Sequence, residues 1–257
     1  MCELFGFSSA NNAPVNDLLK EFFSHSIYHP DGWGMAVFHG NFVNLEKEPL
    51  PAHKSVYLRE RLRHRLEARN MIAHIRLATR GTMDYENCHP FVMKDNCGRT
   101  WTLAHNGTIF DCPTLDGYFH TQEGHTDSER ILRHIVALMN EHQTQAGRAL
   151  TADERFWLVD KIVCQISPHN KVNLLIYDSE QFYIHTNYAD SLYIKQTEDT
   201  AIFSTVPLDT GRWQPVPFTT LLAYKNGREI FRGTNHGHEY HDDPNDMHLL
   251  FIDYAQL

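Results

Sequence analysis

Short segments with strand-like hydrophobic patterns recur along most of this chain, and their number constrains the fold more than any other feature. Ten segments alternate apolar and polar residues or run apolar at strand length, at residues 2–8, 34–38, 42–47, 71–77, 100–105, 172–178, 182–186, 200–205, 219–225 and 229–232. Asn226-Gly227 tolerates the positive φ of a type I′ hairpin turn, and residues 40–41 and 178–181 are typical of further hairpins. We therefore expect mainly antiparallel sheets.

Amphipathic helices are also predicted, in smaller number. Four segments have helical spacing of apolar residues, at 16–24, 55–68, 126–139 and 151–166. The last two begin with the spacing of a capping box, at residues 126–129 and 151–154, and the final helix should end before Pro168. Helices and strands do not alternate strictly, so the pattern predicts an α+β fold of stacked sheets covered by helices.

The composition is that of a folded, water-soluble protein. We expect a single domain over residues 1–257, because neither a low-complexity linker nor a repeat divides the sequence. No run is long enough to cross a membrane and no signal peptide is evident, which predicts a cytoplasmic location. The net charge of −9 argues against nucleic-acid binding. Five scattered cysteines without a CxxC pair argue against a disulfide scaffold or a cysteine zinc site.

Cys2 directly follows the initiator methionine and opens the first predicted strand. Removal of Met1 would leave a free α-amine beside the thiol. Such an amine can take the thiol proton while the sulfur attacks a carbonyl carbon. The alternative is a small apolar residue buried on a first strand.

Three further clusters supply groups that complement such a nucleophile. Arg76 could bind a carboxylate through two parallel hydrogen bonds, or form a structural ion pair. Asn106 and Gly107 could donate to an oxyanion, or simply form an Asn-Gly turn. Asp127 could pair with a substrate ammonium, or stabilise the first turn of a helix. Together with Cys2, these groups would hold a free α-amino acid and cleave its side-chain amide, as glutamine hydrolysis requires.

The combined motifs resemble those of the class II glutamine amidotransferases. They are Cys2, Asp31-Gly-Trp-Gly34, His74-Ile-Arg-Leu-Ala-Thr-Arg-Gly81, His89-Pro-Phe91, His105-Asn-Gly107 and Thr126-Asp-Ser-Glu129. The chain length and the run from His29 to Gly34 are most similar to the stand-alone YafJ-like amidotransferases. The resemblance implies the N-terminal nucleophile (Ntn) hydrolase fold, a four-layer αββα sandwich of two antiparallel sheets flanked by helices.

The resemblance also implies roles for the residues that match. Cys2 becomes the nucleophile with its own α-amine as base, and Asn106 and Gly107 form the oxyanion hole. No metal and no organic cofactor are implied. The substrate would be glutamine or a γ-glutamyl amide, cleaved through a γ-glutamyl thioester. Because the α-amine must be free, we expect protein purified from its own cell to start at Cys2.

For substrate binding, the resemblance implies that Arg76 and Asp127 hold the charges of the glutamine backbone and that Thr79 lines the pocket. Two positions depart from the family pattern, since many members have Trp where this chain has Leu77 and His where it has Arg80. Class II amidotransferases normally pass ammonia to a synthase. We therefore expect either a separate ammonia-accepting partner protein or a simple γ-glutamyl amidohydrolase, and related proteins suggest a homodimer.

Two other functions fit parts of the sequence. A catalytically silent regulatory module would keep the glutamine pocket without turnover. A metal-dependent hydrolase would use the histidine-rich segment 235–243, where His236, His238 and His241 could bind zinc or nickel. The polar, glycine-containing sequence of that segment favours a solvated loop over a metal site.

Overall fold

The computed structural model describes residues 2–78 and 82–242 of the chain. These residues form thirteen β-strands and five α-helices, joined by turns and short 3₁₀ segments. The strands are β1 (Glu3–Pro14), β2 (Trp33–His39), β3 (Phe42–Glu48), β4 (Glu67–Ile75), β5 (Phe91–Lys94), β6 (Thr100–Thr108), β7 (Lys171–Tyr177), β8 (Phe182–His185), β9 (Tyr193–Gln196), β10 (Thr200–Ser204), β11 (Gln214–Pro215), β12 (Thr220–Lys225) and β13 (Arg228–Asn235). The helices are α1 (Asn16–Ser24), α2 (Val56–Arg63), α3 (Pro113–Asp116), α4 (Asp127–Ala146) and α5 (Ala152–Ile166).

The strands form two antiparallel sheets. The first sheet has seven strands in the order β11-β9-β10-β1-β4-β2-β3, and the second has six in the order β13-β12-β8-β7-β6-β5. Cys2 directly precedes β1, and Asn106 and Gly107 lie in β6. Both strands lie inside a sheet and pair with a neighbouring strand on each side. Their positions are therefore fixed by hydrogen bonds to two neighbouring strands.

Three separate apolar cores define four layers. Phe22 of α1 and Leu58 of α2 pack on the outer face of the seven-stranded sheet. Ile131 of α4 and Phe156 of α5 pack on the outer face of the six-stranded sheet. A third core, which includes Leu4 of β1, fills the space between the two sheets. The predicted αββα sandwich of two antiparallel sheets is therefore confirmed.

All ten strands expected from the sequence are present, and so are the three hairpins. Asn226 and Gly227 have φ values of 56° and 72°, as a type I′ turn requires. The helix predicted over residues 55–68 is wrong in its second half, because α2 ends at Arg63. The chain is already extended at His64, and the Leu66 N–H donates to the side chain of Asn16 at 2.7 Å. The short strands β5, β9 and β11 were not predicted.

The two predicted capping boxes differ in the structure. At α5, the Thr151 hydroxyl accepts from the Glu154 N–H and the Glu154 carboxylate accepts from the Thr151 N–H, which completes the box. At α4, the Thr126 hydroxyl accepts from the Glu129 N–H, but the Glu129 carboxylate binds the N–H groups of residues 123–124 instead. Glu129 thereby fixes the loop that leads into α4.

The helices formed by the described residues include none with the length and apolar character needed to cross a bilayer. The expectation of a single domain over residues 1–257 stays a prediction.

Candidate active site

One cleft is lined by residues from both sheets and from the start of α4. Its lining consists of Cys2, Arg76, Leu77, Ala78, His89, His105, Gly107, Thr126, Asp127 and Ser128. Four of the six residues predicted for the site are in this set, namely Cys2, Arg76, Gly107 and Asp127. They come from four distant parts of the sequence, and only the fold brings them together.

Cys2 directly precedes β1, and its side chain is partly exposed. The thiol lies 3.4 Å from both the backbone nitrogen and the carbonyl oxygen of Leu77. The Leu77 N–H donates to the sulfur, and the thiol can donate to the Leu77 carbonyl. Burial raises the pKa of the Cys2 thiol above its ordinary value, although the Leu77 contact and the Arg76 charge oppose this effect. The thiol is therefore protonated at neutral pH and needs a base to react.

Arg76 directly follows β4 and is 2 % exposed. Its Nη1 donates to the carbonyl of Thr82 at 2.9 Å, and its backbone N–H donates to the carbonyl of Gly32 at 2.8 Å. The carboxylate of Asp31 accepts from the N–H of Ala78 at 2.7 Å. The Asp31-Gly-Trp-Gly motif thus holds the backbone segment that carries the arginine and contacts the thiol.

The backbone N–H and C=O groups of Gly107 point away from β7, although the residue lies opposite Val172 of that strand. Its cross-strand partner Val172 donates its N–H to Asn187 and accepts from the ring of His185, so the polar groups of Val172 point toward β8. The N–H and C=O of Gly107 therefore do not bond to Val172 and point to the opposite side of β6. On that side β5 pairs only with residues 100–103, so the described part of β5 leaves the Gly107 N–H uncovered.

Asn106 is buried within β6, next to Gly107. Side chains alternate along a strand, and Ala104 of the same strand belongs to the core between the sheets. The Asn106 side chain therefore faces the seven-stranded sheet, in which Cys2 directly precedes the interior strand β1. The alternative of an Asn-Gly turn is wrong, because both residues pair with β7. Thr79 and Arg80 lie outside the described residues.

Asp127 is the first residue of α4 and is buried. One oxygen of its carboxylate accepts from the Ile109 N–H at 2.7 Å, and the other lies 3.2 Å from the Ser128 hydroxyl. Ser128 also lies 3.0 Å from Nδ1 of His105, whose Nε2 is 3.1 Å from the carbonyl of Lys171. These contacts join the helix that carries Asp127 to the strand that carries Gly107, so the two sides of the cleft are fixed relative to each other.

The sequence profile described as glutamine amidotransferases class-II matches residues 1–197. This chain belongs to the class II glutamine amidotransferase family. It is 28 % identical over 261 residues to an uncharacterized protein of Methanocaldococcus jannaschii. That alignment covers 90 % of this chain and 71 % of the relative. It is 26 % identical over 260 residues to a protein of Haemophilus influenzae named "Putative glutamine amidotransferase", with 90 % and 86 % covered.

Solved structures show the same fold. The glutamine phosphoribosylpyrophosphate amidotransferase of B. subtilis, complexed with ADP and GMP, has a TM-score of 0.64 over 89 % of this chain and 48 % of that chain, at 17 % identity. This similarity establishes the Ntn-hydrolase fold for the chain. The departure from the family pattern at Leu77 leaves the thiol contact intact, because that contact uses the backbone of Leu77.

Sequence reasoning gave no role to several residues that line the cleft. His89, His105 and Ser128 all stand inside quoted motifs, and that position was the available signal for their importance. Thr126 was recognised only as a helix cap. The partners of His89, His105 and Ser128 depend on how the loops and strands are placed in space.

The three histidines of the metal-hydrolase alternative, His236, His238 and His241, do not form a metal site in the structure. His236 lies with its Nε2 2.9 Å from Nε2 of the buried His185, and its Nδ1 accepts from the His238 N–H at 3.0 Å. Both ring nitrogens of His236 are thus engaged, so a metal would have to break one hydrogen bond. Among the described residues, no group of three or more His, Cys, Asp or Glu side chains has a geometry that could hold a metal ion. These contacts give the metal-hydrolase alternative no support.

Proposed function

We propose that this protein cleaves the side-chain amide of glutamine or of a γ-glutamyl compound, with Cys2 as the nucleophile. The observation that carries this proposal is the single cleft lined by Cys2, Arg76, Gly107 and Asp127. A cation and an anion in one cleft complement the two backbone charges of a free α-amino acid. The thiol and the Gly107 N–H then complement the far end of its side chain.

In the proposed first step, the sulfur of Cys2 attacks the amide carbon while the thiol proton moves to the α-amine of the same residue. The oxygen of the tetrahedral intermediate accepts hydrogen bonds from the Asn106 side chain and the Gly107 N–H. Each donor of this kind contributes roughly 3 kcal/mol in comparable enzymes. The carbon–nitrogen bond then breaks, and the leaving amine takes the proton back from the ammonium.

In the second step, water attacks the γ-glutamyl thioester and loses a proton to the same α-amine. The carbon–sulfur bond breaks, which releases glutamate and restores the thiol. The raised pKa of Cys2 supports the need for a base, and the α-amine can serve as one only after Met1 is removed. N-terminal sequencing of active protein should therefore begin at Cys2, and quantitative retention of Met1 would overturn this choice of base.

The nucleophile is tested by Cys2→Ala, which should reduce ammonia release from glutamine to background while the protein keeps its fold. The matched control is Cys97→Ala, because Cys97 is an exposed free cysteine outside the cleft. That control should retain full activity. Mass spectrometry of acid-quenched wild-type protein should detect the γ-glutamyl adduct on the N-terminal peptide. Unchanged turnover in Cys2→Ala would reject the proposal.

A catalytically silent glutamine-binding module is the remaining alternative. Calorimetry that detects glutamine binding to processed protein, together with no ammonia release, would favour it. An ammonia-accepting partner, a homodimer and a cytoplasmic location stay predictions.

A further inference from the structure

His105 lies in the cleft lining between a backbone carbonyl and a hydroxyl group. The ring is 1 % exposed, with Nε2 3.1 Å from the carbonyl oxygen of Lys171 and Nδ1 3.0 Å from the hydroxyl oxygen of Ser128. A carbonyl oxygen can only accept a hydrogen bond, so Nε2 must carry a proton. The role of Nδ1 then depends on whether the ring carries a second proton.

The ring of His105 is neutral at pH 7. Burial lowers the pKa of His105 below its ordinary value, although the Asp127 charge and the Lys171 carbonyl oppose this effect. With its single proton on Nε2, the ring presents Nδ1 as an acceptor. Ser128 must therefore donate its hydroxyl proton to Nδ1.

The hydroxyl group of Ser128 also lies near Asp127, but it has no second proton for that carboxylate. The distance agrees, because Oγ of Ser128 is 3.2 Å from Oδ1 of Asp127, whereas a hydroxyl that donates to a carboxylate normally lies at about 2.5–2.7 Å. The other carboxylate oxygen, Oδ2, accepts from the Ile109 N–H at 2.7 Å. Oδ1 of Asp127 thus receives no hydrogen bond from the described residues, while Oδ2 does.

We propose that His105 is a positioning residue for substrate binding, because its Nδ1 takes the hydroxyl proton of Ser128 and so leaves Oδ1 of Asp127 open to the α-ammonium of the substrate. This inference rests on the proposed function, in which Asp127 binds that ammonium. His105 acts through Ser128 and contacts neither the ammonium nor the reacting amide. Without an acceptor at Nδ1, the hydroxyl would turn to Asp127, and the ammonium would have to displace it.

The test measures binding rather than turnover, in protein that carries Cys2→Ala. Calorimetry compares L-glutamine with glutaramate, the monoamide of glutaric acid, which keeps the carboxylate and the side-chain amide but lacks the α-ammonium. Adding His105→Phe keeps a ring but removes the acceptor at Nδ1. We expect glutamine affinity to fall about tenfold or more, since the ammonium must displace a hydrogen bond to a charged group. The weaker affinity for glutaramate should change by no more than about threefold, because no ammonium competes with the hydroxyl.

Two further measurements separate this role from a structural one. Adding Ser128→Ala to His105→Phe removes the competing hydroxyl and should recover most of the lost glutamine affinity, whereas two structural defects would add. Ring ¹⁵N NMR at pH 7 should show His105 as the Nε2–H tautomer, with its signal identified by its absence in His105→Phe. His142→Phe, on the exposed face of α4, is the matched control and should bind glutamine normally.

Thermal unfolding without ligand shows whether each variant is folded, and His105→Leu, which also lacks the acceptor, replaces His105→Phe if that variant is not. Equal weakening of both ligands, unchanged glutamine binding, or no recovery on addition of Ser128→Ala would overturn the role of His105 and leave the proposed function standing. A proton on Nδ1 in place of Nε2 would also overturn it. If Cys2→Ala protein binds no glutamine at all, the proposed function itself fails, and this inference fails with it.

Discussion

At the scale of single residues, the cleft depends on two close backbone approaches. A Cβ added to Gly34 would lie 2.1 Å from the carbonyl oxygen of His89, and one added to Gly107 would lie 1.9 Å from the carbonyl oxygen of Lys171. Both obstacles are backbone atoms, which cannot rotate away as a flexible side chain could. Glycine at these positions therefore lets a loop and a strand approach the site closely.

Gly34→Ala should destabilise the protein by about 2 kcal/mol or more, because overpacking forces a backbone shift. The shift falls on His89, which lines the cleft, so the KM for glutamine should also rise. Gly117→Ala is the control, since Gly117 has a helical φ of −58° and open space around its Cβ position. Urea unfolding and steady-state kinetics of both variants check this. Equal stability of the two variants would contradict the steric argument.

At the scale of elements, the N-termini of α4 and α5 provide a matched pair. Thr126 and Thr151 each cap a helix by accepting from the backbone N–H three residues on. Thr126→Ala and Thr151→Ala should each cost about 1 kcal/mol of stability. Only Thr126→Ala should raise the KM for glutamine, because Asp127 is the next residue and lines the cleft. Denaturant unfolding and kinetics on both variants separate the two effects; a raised KM in Thr151→Ala would contradict the local role of the cap.

Elements with local signals were predictable from the sequence, and those with remote partners were not. Helix α1 has the predicted bounds, since its apolar face is encoded within nine residues. The predicted helix over 55–68 failed because Leu66 bonds to Asn16, fifty residues away, and the chain then enters β4. β9 and β11 are too short to show an alternating pattern, and they exist as strands because they pair with a neighbour.

The site residues also divide into those with a signal in the sequence and those without one. The motif pattern led to Cys2, Arg76, Gly107 and Asp127, which line one cleft. The sequence contains 18 histidines. It does not show which of these histidines have hydrogen-bond partners for their ring nitrogens and which do not. The partners of His105 come from α4 and β7, which pack beside its strand, so only the structure reveals them.

At the scale of the whole molecule, the sandwich buries histidines in neutral form between its layers. His74 and His185 are fully buried, and His89 is nearly so. Burial lowers the pKa of His185 to about 3 and those of His74 and His89 well below their ordinary value. In the unfolded chain, each would titrate near its ordinary value of about 6.5. Below that pH the unfolded state binds more protons, so stability must fall as the pH falls.

This linkage predicts a marked loss of stability between pH 7 and pH 5. Each histidine that stays neutral in the folded state contributes a loss of up to about 2 kcal/mol at pH 5. The window lies above the titration of ordinary carboxyl groups, so histidines dominate the change. Urea unfolding at pH 7 and at pH 5 should show the fall in the free energy of unfolding. His89→Phe should reduce this fall by up to the contribution of one histidine. The control, His142→Phe, should leave the fall unchanged. A free energy of unfolding that is flat or higher at pH 5 would mean that these rings accept protons without leaving the core.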